Sequence, residues 1–91
     1  MTTLEDALIT GHAREQMERR GIDEAQVRRT LAMREELLPV RPGRVVVQGI
    51  ISEGREPADY LLRVFVDTDR TPAEVVTVYR TSKMDKYRRN P

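Results

Sequence analysis

The spacing of the apolar residues changes once along this chain, and that change constrains the fold more than any other feature. Up to about Met33, apolar side chains recur four apart, Ala13 with Met17 and then Val27 with Leu31. This spacing places them on one face of a helix. From Leu37 onward the apolar residues come in runs broken by turn residues: Leu37-Leu38-Pro39-Val40, Arg44 to Ile51, Tyr60 to Asp67, and Glu74 to Arg80. Such β-branched runs read as strands. Two helices followed by a sheet is the order this imposes.

The helix ends carry their own signals. A first helix is expected over about Gly11 to Arg20, with Thr10 as its cap and Gly21 as the left-handed residue that follows it. Arg20 falls near the Ala13/Met17 stripe, while His12, Gln16 and Arg19 form a neighbouring one. A second helix is expected from Glu24 to about Met33. Asp23 suits its N-cap, Gln26 completes a capping box, and Ile22 can staple against Val27. Arg28 and Arg29 point away from the apolar face. The short Gly21-Ile22-Asp23 link makes the pair a helical hairpin. The first ten residues fit either a helical turn, with Thr3 and Asp6 as a box, or a short extended segment.

In the second half, Pro39 marks an edge strand because it cannot donate to a ladder. Pro42-Gly43 and Thr68 to Pro72 read as turns, and Ser52 to Asp59 as a polar loop. Strand alternation puts Tyr60, Leu62, Val64 and Val66 on one face and Leu61, Arg63 and Phe65 on the other. It likewise puts Val76 and Val78 on one face and Val75, Thr77 and Tyr79 on the other. Ser82 can cap a final short helix, with Asp85 completing its box. The expected fold is one α+β domain over residues 1–91. An N-terminal helical hairpin packs on a three- or four-stranded antiparallel meander, and a short C-terminal helix ends the chain. The hairpin covers one face of the sheet and leaves the other as a shallow groove.

Composition removes several classes. In 91 residues, 38% are hydrophobic and 34% charged, which suits a modest globular core and not a disordered chain. No apolar run is long enough to span a bilayer. The first residues are acidic where a signal peptide is basic. There is no cysteine, so neither a disulfide framework nor a thiolate metal site exists. One histidine with scattered acids makes no metal cluster, and the glycines lack phosphate-loop spacing. A cytoplasmic protein without metal or other cofactor is expected. Net charge is only +1, but the C-terminal end holds Arg80, Lys83, Lys86, Arg88 and Arg89 against Asp85 alone. That end reads either as a phosphate-binding rim or as a solvated tail.

Four residues are candidates for chemistry. His12 titrates near neutrality and suits a general acid or base, or a structural place at a helix start. Arg63 sits in mid-strand, where arginine is a poor strand former; it either forks onto a phosphate in the groove or pairs with an acid across strands. Tyr79 shares its face, with a ring that can stack on a base and a hydroxyl that can donate a proton. Lys83 follows at the groove's rim. Arg19, Arg80, Lys86 and Arg88 are candidate nucleic-acid contacts. Arg20 is read as structural, since a helix C-terminus favours a cation. Tyr87 reads either as packing for the last helix or as a second stacking ring.

The segments His12-x4-Met17-x2-Arg20-Gly21-Ile22, Leu62-Arg63-Val64-Phe65-Val66-Asp67 and Val76-Thr77-Val78-Tyr79-Arg80-Thr81 together resemble a small bacterial family. It is a domain of unknown function of the DUF4258 type, related to RelE-, ParE- and BrnT-like toxins. The resemblance implies a RelE-like fold and a metal-independent ribonuclease toxin directed at RNA or the ribosome, with a cognate antitoxin as partner. It implies that Arg63, Tyr79, Arg80 and Lys83 take the role a histidine base has elsewhere. The rival expectation is a non-catalytic binding module, antitoxin- or immunity-like, or a homodimer pairing through an exposed strand. Convergence of His12, Arg63, Tyr79 and Lys83 in one cleft favours the enzyme, and their dispersal favours the module.

Overall fold

A computed structural model describes residues 4–87. Both long helices begin and end as the caps dictate. In α1 (Gly11–Arg20), Thr10 Oγ1 accepts from the Ala13 N–H at 3.2 Å, and Gly21 takes φ 65°. In α2 (Glu24–Met33), the Asp23 carboxylate accepts from the Gln26 N–H, and the Gln26 side chain accepts from the Asp23 N–H in return. Ala13, Met17, Ile22, Val27 and Leu31 are buried together against the sheet. Among the described residues no helix is long and apolar enough to cross a membrane.

The sheet has five strands, β1 (Leu8–Ile9), β2 (Glu36–Arg41), β3 (Arg44–Glu53), β4 (Ala58–Asp67) and β5 (Glu74–Thr81). Their spatial order is β1-β5-β4-β3-β2. Strands β2 to β5 form the antiparallel meander that short turns favour. The fold is α+β, as expected, but β1 adds a parallel partner to β5 and makes the sheet mixed. Two residues carry no readable period. This strand exists through distant partners: Leu8 N–H donates to Ala73 O, and both the Thr10 N–H and hydroxyl donate to Val75 O. A 3-10 turn over Leu4–Asp6 precedes it.

Three further details depart from the expected pattern. The segment 52–59 is a hairpin zipped as far as Glu53 opposite Ala58, so only residues 54–57 turn. Its polar residues pair across the strands, with Ser52 Oγ donating to Asp59 Oδ1 at 2.6 Å. In β5 the register shifts between Thr77 opposite Phe65 and Val75 opposite Val66. The extra residue, Val76, resets the alternation, so Val75 and Val78 both reach the core. Finally, the C-terminal helix α3 (Met84–Tyr87) starts one residue later than a Ser82 cap would place it, and the Lys83 N–H before it donates to Thr81 Oγ1.

The face covered by α1 and α2 holds Val47, Leu62, Val64, Val66, Val75 and Val78, all buried. The opposite face is not the bare groove expected. Val46 and Leu61 lie there and are 2% and 0% exposed. The end of the chain returns across this face, since the Tyr87 carbonyl accepts from Gln48 Nε2 and its ring stands over Arg63.

Candidate functional site

One transverse row of polar side chains crosses four strands on the face away from α1 and α2. Glu36, Gln48, Arg63 and Tyr79 are directly opposite one another in β2, β3, β4 and β5. Side chains in register on one face of a sheet stand close enough to bond. Here the bonds run continuously. Gln48 Nε2 donates to Glu36 Oε1 at 3.0 Å. Arg63 Nε donates to Gln48 Oε1 at 2.8 Å, and its Nη1 donates to the Tyr79 hydroxyl oxygen at 2.6 Å. Gln48 is fully buried, and Glu36 nearly so. The amide lets a carboxylate and a guanidinium share a buried line, because it accepts from one and donates to the other.

Aromatic rings enclose the guanidinium. Its central carbon lies 4.3 Å from the Tyr87 ring centre, 5.2 Å from Phe65 and 5.6 Å from Tyr79. Phe65 and Tyr79 are stacked at 6.0 Å, and Tyr87 meets Tyr79 edge-on at 6.4 Å. Cations over aromatic faces gain from the ring quadrupole. Arg63 remains half-buried, so the cluster reaches the surface beside α3. Lys86 Nζ lies 5.4 Å from the Tyr87 ring, and Lys83 immediately precedes α3.

Arg63 and Tyr79 are therefore brought together, with Lys83 and Lys86 at the chain segment that follows. His12 is not. It begins α1, exposed, on the layer that packs the other face of the sheet. Arg80 also stands apart. It is opposite Leu62, on the helix-covered side, where its guanidinium donates to the Arg20 carbonyl, pairs with Glu53 at 3.1 Å and lies 5.9 Å from Tyr60. Alternation separates it from Tyr79. Arg19 is exposed near Glu15 and Glu18 at the far end of α1. Arg20 has the structural place expected of it, donating to Val78 O at 3.0 Å. Arg88 lies outside the described residues.

Sequence reasoning missed Gln48, Glu36 and the aromatic enclosure. One signal was present: Gln48 is the only polar side chain in Val45-Val46-Val47-Gln48-Gly49-Ile50-Ile51. A polar residue in so apolar a run requires a partner.

A second polar pair closes the far end of the same two strands. Arg44 Nε and Nη2 fork onto the Asp67 carboxylate at 2.6 and 3.1 Å. These hydrogen bonds hold the Asp67 carboxyl below its ordinary range and raise Arg44 in return. Glu24 is likewise lowered by its bonds from Arg14 and Arg28. Both acids are engaged in holding the fold.

Among known proteins, the family described as a domain of unknown function (DUF4258) matches residues 9–80. No curated protein and no solved structure matches the chain.

Proposed function

For a chain that belongs to the DUF4258 family, we propose an RNA-binding protein of toxin type that uses the sheet face holding Arg63 and Tyr79. The observation that carries this reading is the 2.6 Å bond from Arg63 Nη1 to the Tyr79 hydroxyl within a stack of rings. Because the guanidinium donates to the phenol oxygen, the phenol hydrogen is free to donate onward, to a phosphate oxygen. The guanidinium supplies the positive charge for that phosphate. The stacked pair Phe65 and Tyr79 offers a platform for an unpaired base, the commonest way proteins hold single-stranded RNA. Lys83 and Lys86 add positive potential at the rim.

The place of His12 favours binding over histidine-based cleavage. Any attack by a 2′-hydroxyl on this face has Tyr79 as its proton-transfer group and Arg63 as its phosphate clamp. In this reading a cognate antitoxin covers the face and withholds it from RNA.

The test is a binding and cleavage assay on total bacterial RNA in EDTA. Wild type, Arg63→Ala, Tyr79→Phe and His12→Ala are compared. Binding or cleavage lost in the first two variants and kept in His12→Ala supports the assignment. Equal behaviour of all four proteins removes it.

A further inference from the structure

Strand β2 covers only half of β3. Its pairs run from Arg41 opposite Arg44 to Glu36 opposite Gln48, so 49–53 has β4 on one side and no described strand on the other. One bond fixes the direction of the unpaired groups. The Ile50 N–H donates to Glu35 Oε2 at 3.3 Å, so it points away from β4. By the two-residue period, the Ile50 carbonyl and both backbone groups of Ser52 point the same way. The Glu35 carboxylate thus stands where a neighbouring strand would place a carbonyl, and it does so once. Pro39, opposite Val45, lies at the alternate positions, where no ladder bond is lost.

This free edge lines a cavity of about 460 Å³ beside α2, shared by Asp23, Gln26, Arg29, Ile50 and Ser52. A smaller one of about 230 Å³ continues it to Met33 and Glu35. Met33 is 68% exposed and Ile50 37%, so apolar surface flanks the unpaired backbone. Arg29 makes no ion pair among the described residues.

We propose that a second copy of this chain fills the slot, β3 edge to β3 edge and antiparallel, about a two-fold axis near Ile51, which sets Ile50 of each copy opposite Ser52 of the other. Charge order along the slot selects this occupant. The N-terminal end of α2 lies beside Glu53, as the Gln26 Nε2 bond to Glu53 Oε1 at 3.0 Å shows, and Met33 lies beside Gly49 and Ile50. Asp23 therefore marks one end of the slot and Arg29 stands further along it. A two-fold axis reverses the order, setting Arg29 of each copy toward Asp23 of the other; a slot with acid and base in sequence is complementary to itself. Exposed Ala25 and Ala32 on α2 let the two helices approach closely. Backbone groups that alternate along a strand are satisfied by another strand, and here the partner brings an equal set. The inference is independent of the RNA reading.

The test is the mass of the full chain by sedimentation equilibrium, from micromolar to sub-millimolar concentration. The wild type is expected to be a dimer at the upper end. Ser52→Pro removes one outward N–H without taking a backbone bond from the β3–β4 ladder, and it should weaken the dimer at least about tenfold, whereas Ser52→Ala, which loses only the hydroxyl bond to Asp59, should dimerise like the wild type. Arg29→Glu, on an exposed helix face, should do the same without touching the strand, and adding Asp23→Asn should recover part of the loss. Circular dichroism confirms that each variant is folded. A wild type that stays monomeric throughout overturns the proposal, and so does a dimer that Arg29→Glu leaves unchanged.

Discussion

Arg63 bonds to Tyr79 across β4 and β5 at 2.6 Å while its Nε holds the buried Gln48 at 2.8 Å. One side chain thereby joins the buried end of the polar row to its surface end. Arg63→Ala leaves Gln48 Oε1 without its donor inside the sheet, and an unsatisfied buried acceptor costs about 1–3 kcal/mol. Urea unfolding should show that loss. Arg63→Lys should recover little of it, because an ammonium lacks the fork that reaches both partners.

Tyr79→Phe separates stability from recognition. The ring keeps its stacking with Phe65 and its place beside Tyr87. Only the hydroxyl is lost, an effect of about 1 kcal/mol on unfolding. If the hydroxyl meets a phosphate, RNA affinity should fall by about tenfold, since bonds to charged groups are worth about 1.5–3 kcal/mol. Titration of a labelled single-stranded RNA measures it, and unchanged affinity would assign the hydroxyl to structure alone.

The acid limb of the stability curve should belong largely to Asp67. Arg44 holds its folded pKa below the ordinary value of 3.8. For a depressed carboxylate the stabilisation is complete above the unfolded value and lost as pH falls through the folded one. The wild type should therefore lose stability below about pH 4. Asp67→Asn should be less stable at pH 7 and flatter on the acid side. Glu24, lowered by Arg14 and Arg28, adds a smaller slope because it is half-exposed at the surface.

Much of the backbone was legible in the residues, and for local reasons. Thr10, Gly21 and the Asp23/Gln26 box act within one turn of chain, so the two long helices end where those residues say. The meander follows from short links between β-branched runs. What was not legible depends on register. Gln48 stands opposite Arg63 because the four-residue turn 54–57 sets the β3–β4 register from Glu53/Ala58 to Arg44/Asp67, a register that reading 52–59 as an unpaired loop left unused. The bulge at Val76, which no residue nearby signals, reversed the expected face of Val75. Arg63 and Tyr79 were paired correctly because both lie on the near side of that bulge. His12 was grouped with them by chemistry alone, and chemistry carries no information about layers.

Gly21→Ala tests the helical hairpin. Gly21 closes α1 at φ 65°, and the next N–H, of Ile22, donates to Met17 O at 2.9 Å. A left-handed conformation costs a side chain roughly 1 kcal/mol that glycine avoids. Nothing within 4 Å of the added carbon opposes it, so the penalty is conformational. The unfolding midpoint should drop by several degrees for a domain of this size, about 4–8 °C per kcal/mol. A larger fall would point to misplacement of Ile22, which is buried beside Val27 in the core.

Tyr87 covers the group that the proposed ligand needs. Its ring lies 4.3 Å from the Arg63 guanidinium, and its carbonyl accepts from Gln48 at 3.1 Å. A phosphate reaching Arg63 competes with that ring, so the cover lowers apparent affinity by the fraction of time it is closed. A partly exposed cation–ring contact is worth about 0.5–1 kcal/mol. Tyr87→Ala deletes the ring and keeps the carbonyl, and RNA affinity should then rise about two- to fivefold. Stability should fall by a similar energy, so the two measurements move in opposite directions. A fall in affinity would show instead that Tyr87 stacks on the RNA and belongs to the binding platform with Phe65 and Tyr79.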